Sequence, residues 1–549
     1  MTDRAKLLLL QLALVLGVCG FFFFFGLGAF GLVGADEPRY AQIAREMFVR
    51  HDWIVPTLNG APWLEKPVLL YWKVMGSFSI FGVHDWTARV PSAVHATVLV
   101  LAIFFFMRRF RFGSELDAAL ITASSAGMIG FGRGASTDML VSVPFAMAML
   151  SWWAWHETGK KLWLAVFYGL LGVGALAKGP VAPALAVLIV TAYAVLRREG
   201  KIFVRSLWAP GFLLFFAIAA PWYLAVQNKV PQFFHTFFIE QNLQRFGTNL
   251  YRHSQPFWYY IPVFLLTALP WTIFTVVAMV DAGKQCYKQI RARTNEAEAD
   301  EVKTGEAGHD WLPIFLLIWI AVPVVFFSIS RSKLPGYILP AVPAAAILTA
   351  DYLRRTAAIS RLKVSLHALL CAVLLVFALM APFAMVKQLP VAAVQIGIAI
   401  AGAVIAAMVM IMVRRQGPRV LHFVTLVPII LAVAFLLRPA APVIDQVQSA
   451  RAVQEHLVHI GAASGPVAVF NVKREVAYGL NFYRNQPIRH YESDGPVDLP
   501  SGIPSEKHVV VAKEGSGDAI RALLGDRQVV PLDGFPQQHL EFFWVDGAK

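Results

Sequence analysis

Roughly thirteen stretches of about 20 apolar residues run through this chain, and segments of that length and character cross bilayers. They fall near 7–33, 86–107, 115–132, 139–155, 162–177, 180–196, 207–227, 257–280, 312–329, 336–353, 365–386, 391–413 and 419–437. In lipid every backbone polar group must be paired within its own segment, so each stretch is expected to be a helix. Only 15% of the 549 residues are charged, against roughly 25% in soluble domains, and mean hydropathy is +0.59. The first stretch follows Arg4 and Lys6 and has no small-residue cleavage pattern, so it is expected to remain as a membrane helix.

The charge pattern supports the span count. With the N-terminus cytoplasmic, the even-numbered connections carry Arg108-Arg109, Lys160-Lys161, Arg197-Arg198, Lys284 with Lys288, Arg354-Arg355 and Arg414-Arg415. Lysine and arginine collect on the cytoplasmic side, so much of the net +14 is membrane topology and nucleic acid is not an expected partner. The acidic run 295–310 reads as a cytoplasmic loop. After Arg438 the pattern changes to short apolar runs (Val467–Val472, Val509–Ala512, Phe542–Val545) alternating with helix-like stretches (Asp445–His459, Glu475–Tyr483, Asp518–Leu524). The expected architecture is therefore an integral membrane, all-α bundle over 1–439 plus a small α/β domain over 440–549. An odd number of spans places that domain in the periplasm of a Gram-negative cell. Cys19, Cys286 and Cys371 lie in or near apolar segments and suggest no disulfide framework.

The opposite, non-cytoplasmic connections hold the unusual polar residues. Loop 34–85 contains Asp36, Arg39, Tyr40, Trp63, Glu65 and Lys66, with an amphipathic helix expected from Tyr40 to Arg50. Asp138 starts a span, Lys178 ends one, loop 228–256 contains Arg245, Arg252 and His253, and Arg331, Lys333 and Tyr337 follow a later span. Each has a plain alternative. Asp138 reads equally as a helix N-cap, Lys178 as a snorkelling lysine, His253 as a hydrogen-bonded surface histidine, and Pro256–Tyr260 as an interfacial aromatic belt. Such alternatives explain poorly why carboxylates and cations gather on one face. Ionisable groups at a membrane boundary are costly unless used.

Chemically, the set suits transfer of a group from a lipid-linked phosphate donor. Lys66, Arg245, Lys333 and Lys178 supply fixed cations for a phosphate leaving group. Asp36 or Asp138 orients a sugar or removes a proton, and Tyr40, Trp63 and Tyr337 offer aromatic faces. There is no P-loop and no dinucleotide fingerprint, so no nucleotide cofactor is expected.

The runs ADEPRYAQIAREM, WLEKPVLLYW, STDML, KGP, EQNLQRF, RHSQPFWYY and SKLPGYIL occur in that order, and the chain resembles the bacterial lipid A aminoarabinose transferases (ArnT) within the protein-mannosyltransferase-like, GT-C-fold glycosyltransferases. The resemblance covers about residues 7–350, and it departs at Trp63-Leu64, where those transferases carry Tyr-Phe. It implies a GT-C bundle of about thirteen transmembrane helices with periplasmic amphipathic helices, and an active site built from loops 34–85 and 228–256. The implied reaction moves 4-amino-4-deoxy-L-arabinose from undecaprenyl phosphate to lipid A or another periplasmic acceptor, in the inner membrane, by a monomer. It further implies Asp36 and Asp138 as catalytic aspartates, Lys66 at the donor phosphate, and Tyr337 near the donor. Arg39 and Tyr40 would line the same cavity, Arg252 would join the substrate-binding set, and Glu65 with His253 would hold an optional zinc-like divalent ion.

Two other classes remain open: a lipid-linked-saccharide transporter, which predicts an internal repeat and mid-membrane polar groups, and a periplasmic sensor or scaffold whose working part is 440–549.

Overall fold

In a computed structural model, the structure describes residues 2–244, 255–294, 310–356, 359–386, 392–416, 420–492 and 499–548. Every one of the thirteen apolar stretches contains a helix. Among the described residues seven helices are long and apolar enough to cross a membrane, or up to nine if two bent helix pairs each count as one span. The chain is thus a mostly helical, multi-span membrane protein.

Three stretches are less regular than periodicity alone predicts. The first helix ends in a wide π-turn at Gly20–Phe24, and residues 25–33 turn back instead of continuing to 33. The stretch 115–132 breaks between Ser124 and Ser125, whose hydroxyls donate to the carbonyls of Leu120 and Ile121, while Ala126 N–H bonds the distant Leu269 carbonyl at 2.7 Å. The stretch 257–280 bends by 117° between Thr267 and Thr272, at a segment whose Pro270 has no N–H to continue a helical ladder.

The span connections decide what the site contains. Helix Thr137–Thr158 begins beside Asp138 and runs away toward Lys160, and its partner Lys161–Lys178 runs back. The two pack tightly along their length, so residues 40 apart in sequence meet at one end. The amphipathic helix is longer than expected, Asp36–Arg50, and its buried stripe includes Tyr40, Ile43, Ala44 and Met47. Beyond it a small hairpin pairs β1 (Thr57–Leu58) with β2 (Ala61–Pro62) through Asn59-Gly60, both at positive φ. Asn-Gly suits that two-residue turn because both positions need left-handed backbone. Glu46 fastens the hairpin to the helix by accepting from Thr57 Oγ1 (2.7 Å) and Asn59 N–H (2.7 Å).

The C-terminal region is a mixed sheet flanked by helices, ordered β4-β3-β5-β7-β6. The predicted runs become β3 (Val467–Phe470), β5 (His508–Lys513) and β7 (Leu540–Val545). Two strands were not legible in the sequence: β4 (Arg489–His490), which is only two residues, and β6 (Val529–Phe535), whose edge position leaves polar and proline residues outward. β3 lies parallel to β4 and β5, and β7 runs antiparallel to β5 and β6.

This region is joined to the membrane domain by directed polar contacts. Gly31 N–H donates to Asp445 (2.7 Å) and Leu32 N–H to the Tyr483 hydroxyl (2.7 Å), while Arg451 bridges Asp85 (3.0 Å) and Asp445 (2.9 Å). A side chain at Gly31 would run into Ser449 and Tyr483, so only glycine permits this approach.

Candidate active site

Two connected spaces lie where the first loop, the ends of several spans and the C-terminal domain converge. One is a polar cavity of about 1200 Å3, with Asp36, Arg39, Tyr40 and Trp63 on one wall and Asp138 on another. The other is an apolar groove of about 340 Å3 between helices, lined by residues such as Val141, Phe145, Leu185 and Phe327. Glu65, Lys66, Lys178, Gln241 and Tyr337 border both. A greasy channel therefore meets a wet chamber at a doorway carrying two lysines, a carboxylate and a phenol.

Asp36 opens its helix and pairs with Arg39 one turn on, yet its side chain keeps half its surface open to the cavity. The Arg39 guanidinium is itself buried against three rings: Trp63 at 4.8 Å, Tyr40 at 5.3 Å and Tyr478 at 5.3 Å. Burial works against the Arg39 charge, and the surrounding Tyr40, Asp36 and Glu65 more than offset it, so the group holds its proton more tightly than an ordinary arginine. Burial pushes the Tyr40 phenol well up, reinforced by Asp36, so it stays a neutral ring in the wall.

Asp138 does not cap its helix: Ser136 is the N-cap and accepts from Asp138 N–H. The Asp138 carboxylate instead accepts from Lys178 Nζ at 2.5 Å. Lys178 is no snorkelling lysine either, since its ammonium also lies 4.5 Å over the Tyr337 ring. Tyr337 follows Gly336, where a Cβ would collide with the Asp138 carboxylate, which explains the glycine in SKLPGYIL. Lys66 borders both spaces, and its Nζ lies 3.4 Å from the Glu65 carbonyl.

Not every expected residue joins this centre. Lys333 borders neither space; its buried ammonium donates to the Ser330 carbonyl and holds the turn before Tyr337, and burial lowers its pKa. Arg245, Arg252 and His253 lie outside the described residues, so Glu65 is the only described member of the expected ion-binding pair. Among the described residues no group of three His, Cys, Asp or Glu side chains forms a metal-binding cluster.

Two features of the site were not predicted. Glu37, next to Asp36, points the other way: it is buried and accepts from Arg89 (2.7 and 3.1 Å), Val33 N–H (2.8 Å) and Ala135 N–H (2.7 Å). It thereby ties the Asp36 loop to the Asp138 loop. The C-terminal domain also forms part of the cavity, through Lys473, Arg474, Glu475, Leu499 and Pro500.

Residues 65–224 match the dolichyl-phosphate-mannose-protein mannosyltransferase family. An undecaprenyl phosphate-alpha-4-amino-4-deoxy-L-arabinose arabinosyl transferase from Edwardsiella ictaluri is 34% identical over 330 residues, covering 58% of this chain and 55% of the relative. Its counterpart from Serratia proteamaculans is 33% identical over 337 residues, 60% of this chain and 56% of the relative. Over these residues the chain is similar to the protein-mannosyltransferase family and to the aminoarabinose transferases.

The alignments span a little over half the length of these curated relatives, whereas the fold match is nearly complete. The crystal structure of ArnT from Cupriavidus metallidurans bound to undecaprenyl phosphate superposes with a TM-score of 0.75 at 22% identity, covering 98% of each chain. The apo structure of that protein gives 0.76 at 22% identity, covering 99% of this chain and 98% of that one. The ArnT-like fold therefore extends through the C-terminal domain, where the sequence resemblance fades.

Proposed function

We propose that this chain is an inner-membrane glycosyltransferase that moves 4-amino-4-deoxy-L-arabinose from undecaprenyl phosphate to a lipid A phosphate on the periplasmic face. The observation that carries the reading is the doorway shared by the apolar groove and the polar cavity. A polyprenyl phosphate donor has this same division: an isoprenoid tail for the groove, a phosphate for the lysines and a sugar for the chamber. The relatives' names and the positive-inside pattern support the same choice of donor and side.

In this reading the bond from the sugar C1 to the donor phosphate oxygen breaks, and a bond from C1 to an acceptor phosphate oxygen forms. The leaving undecaprenyl phosphate gains negative charge, and Lys66 and Lys178 stabilise it in a site of low dielectric. An acceptor phosphate is already ionised and needs no general base. Asp36 then orients the sugar and binds its amino group, while Arg39, locked between Trp63 and Tyr478, fixes the carboxylate. Asp138 holds Lys178 in place, and Tyr337 packs beneath it. Glu65 stands at the doorway, and among the described residues it belongs to no group of three His, Cys, Asp or Glu side chains.

Trp63-Leu64, on the cavity wall, favours one variant of the reading: the same transfer chemistry with another polyprenyl-phosphate sugar and another acceptor. The test is a purified transfer assay offering undecaprenyl-phosphate aminoarabinose beside other undecaprenyl-phosphate sugars, with lipid A as acceptor. Aminoarabinose transfer that is lost in Lys66→Ala supports the assignment. Consumption of only a different sugar overturns the aminoarabinose choice.

A further inference from the structure

The cavity is larger than one sugar phosphate needs. Pockets for single small ligands run to roughly 300–1,000 Å3, and this chamber measures about 1200 Å3 beyond the separate apolar groove. Its far wall belongs to the C-terminal domain, at the start of helix Arg474–Arg484. That helix is keyed to the catalytic loop at several points. Tyr478 stacks on Arg39, Asn481 bonds Asn59 across the hairpin (2.9 Å), and Arg45 donates to the Phe482 carbonyl (3.0 Å). Positions four apart share a helix face, so Arg474 projects from the same face as Tyr478, into the chamber that holds Asp36.

The charges on the two walls differ. On the membrane side each of these charges has an opposite partner beside it, Asp36 with Arg39 and Asp138 with Lys178. The C-terminal wall presents two exposed cations, Lys473 and Arg474, against one carboxylate, Glu475, which sits 3.9 Å from Lys473. Neither cation borders the apolar groove, so neither is placed for the donor phosphate at the doorway.

We propose that Lys473 and Arg474 form the recognition site for the anionic headgroup of the acceptor, holding a phosphate-bearing lipid across the chamber from Asp36. This rests on the transfer reading above and adds to it a division of labour: the membrane domain grips the donor, and the C-terminal domain selects the acceptor. Charge-assisted hydrogen bonds to phosphate supply the grip.

The test is a steady-state transfer assay on the full chain, with undecaprenyl-phosphate aminoarabinose as donor and lipid A as acceptor. Three forms are compared: wild type, Lys473→Gln with Arg474→Gln, and the charge-conserving Lys473→Arg with Arg474→Lys. The neutral pair is expected to raise the acceptor KM about tenfold, while the donor KM and the kcat at saturating acceptor stay within about twofold. The charge-conserving pair should restore most of the acceptor affinity. Wild-type transfer with an unchanged acceptor KM in the neutral pair overturns the assignment alone, as does a donor KM that rises equally. No transfer by wild type overturns the transfer reading and the assignment with it.

Discussion

Asp36 and Glu37 are neighbours in sequence and opposites in use. Asp36 meets one guanidinium and leaves the rest of its carboxylate facing the cavity. Glu37 is buried and receives two backbone N–H groups and a bidentate arginine, with Arg89 also donating to the carbonyls of Leu27, Phe30 and Gly31. The same carboxylate–guanidinium chemistry leaves an open, cavity-facing surface in one region and builds a structural joint in the other. What separates them is saturation: a fully bonded carboxylate has nothing left to offer a substrate.

That contrast can be broken by substitution. Glu37→Ala strands the Arg89 charge in the interior, and breaking a buried pair from one side costs about 3–5 kcal/mol. The expected outcome is low accumulation and a lowered unfolding midpoint in detergent, visible whether or not substrate is present. Asp36→Ala should leave the unfolding midpoint close to wild type while kcat/KM falls at least about a hundredfold, the scale of a misoriented reactant. A destabilised Asp36→Ala protein would show that the two carboxylates share one role.

Smaller effects are expected at the joint with the C-terminal domain. Tyr483→Phe removes the acceptor for Leu32 N–H and should cost about 0.5–1.5 kcal/mol of stability, seen by thermal unfolding, with a modest loss of activity. The mildest effect is expected from pH. Burial lowers the His508 pKa below its ordinary 6.5, with Nδ1 on the Glu506 carbonyl (2.7 Å) and Nε2 on the Tyr491 hydroxyl (2.5 Å). A depressed folded pKa means the unfolded chain binds more protons in this window. The stabilisation is therefore complete above about pH 6.5 and declines as pH falls toward the folded pKa. Unfolding of the full chain between pH 7.5 and 5.5 should show that slope, and His508→Phe should flatten it.

The legible parts of the sequence were those where physics leaves few choices. Long apolar runs must be helices, and polar residues at a membrane boundary must be used or paid for, so Asp36, Lys66, Asp138, Lys178 and Tyr337 stood out, and they gather round the two connected spaces. Pairings were not legible, because Lys178 finds Asp138 only through the antiparallel return of a helix pair. Glu37 looked the same as Asp36 in sequence, since burial and bonding are tertiary facts. Lys333 looked like a site cation, yet a local carbonyl claims it. Lys473 and Arg474 were invisible for the opposite reason: two charges at the start of an amphipathic helix read as ordinary solvated surface until the fold swings them over the cavity.

The most direct test uses a Gram-negative strain lacking its own aminoarabinose transferase, complemented with this chain or with Asp36→Ala, followed by mass spectrometry of lipid A. Wild type should add a mass increment of an amino-pentose, and Asp36→Ala none at equal membrane abundance. An increment that persists in Asp36→Ala would contradict the role given to the first loop. No increment with abundant wild-type protein would contradict the assigned transfer.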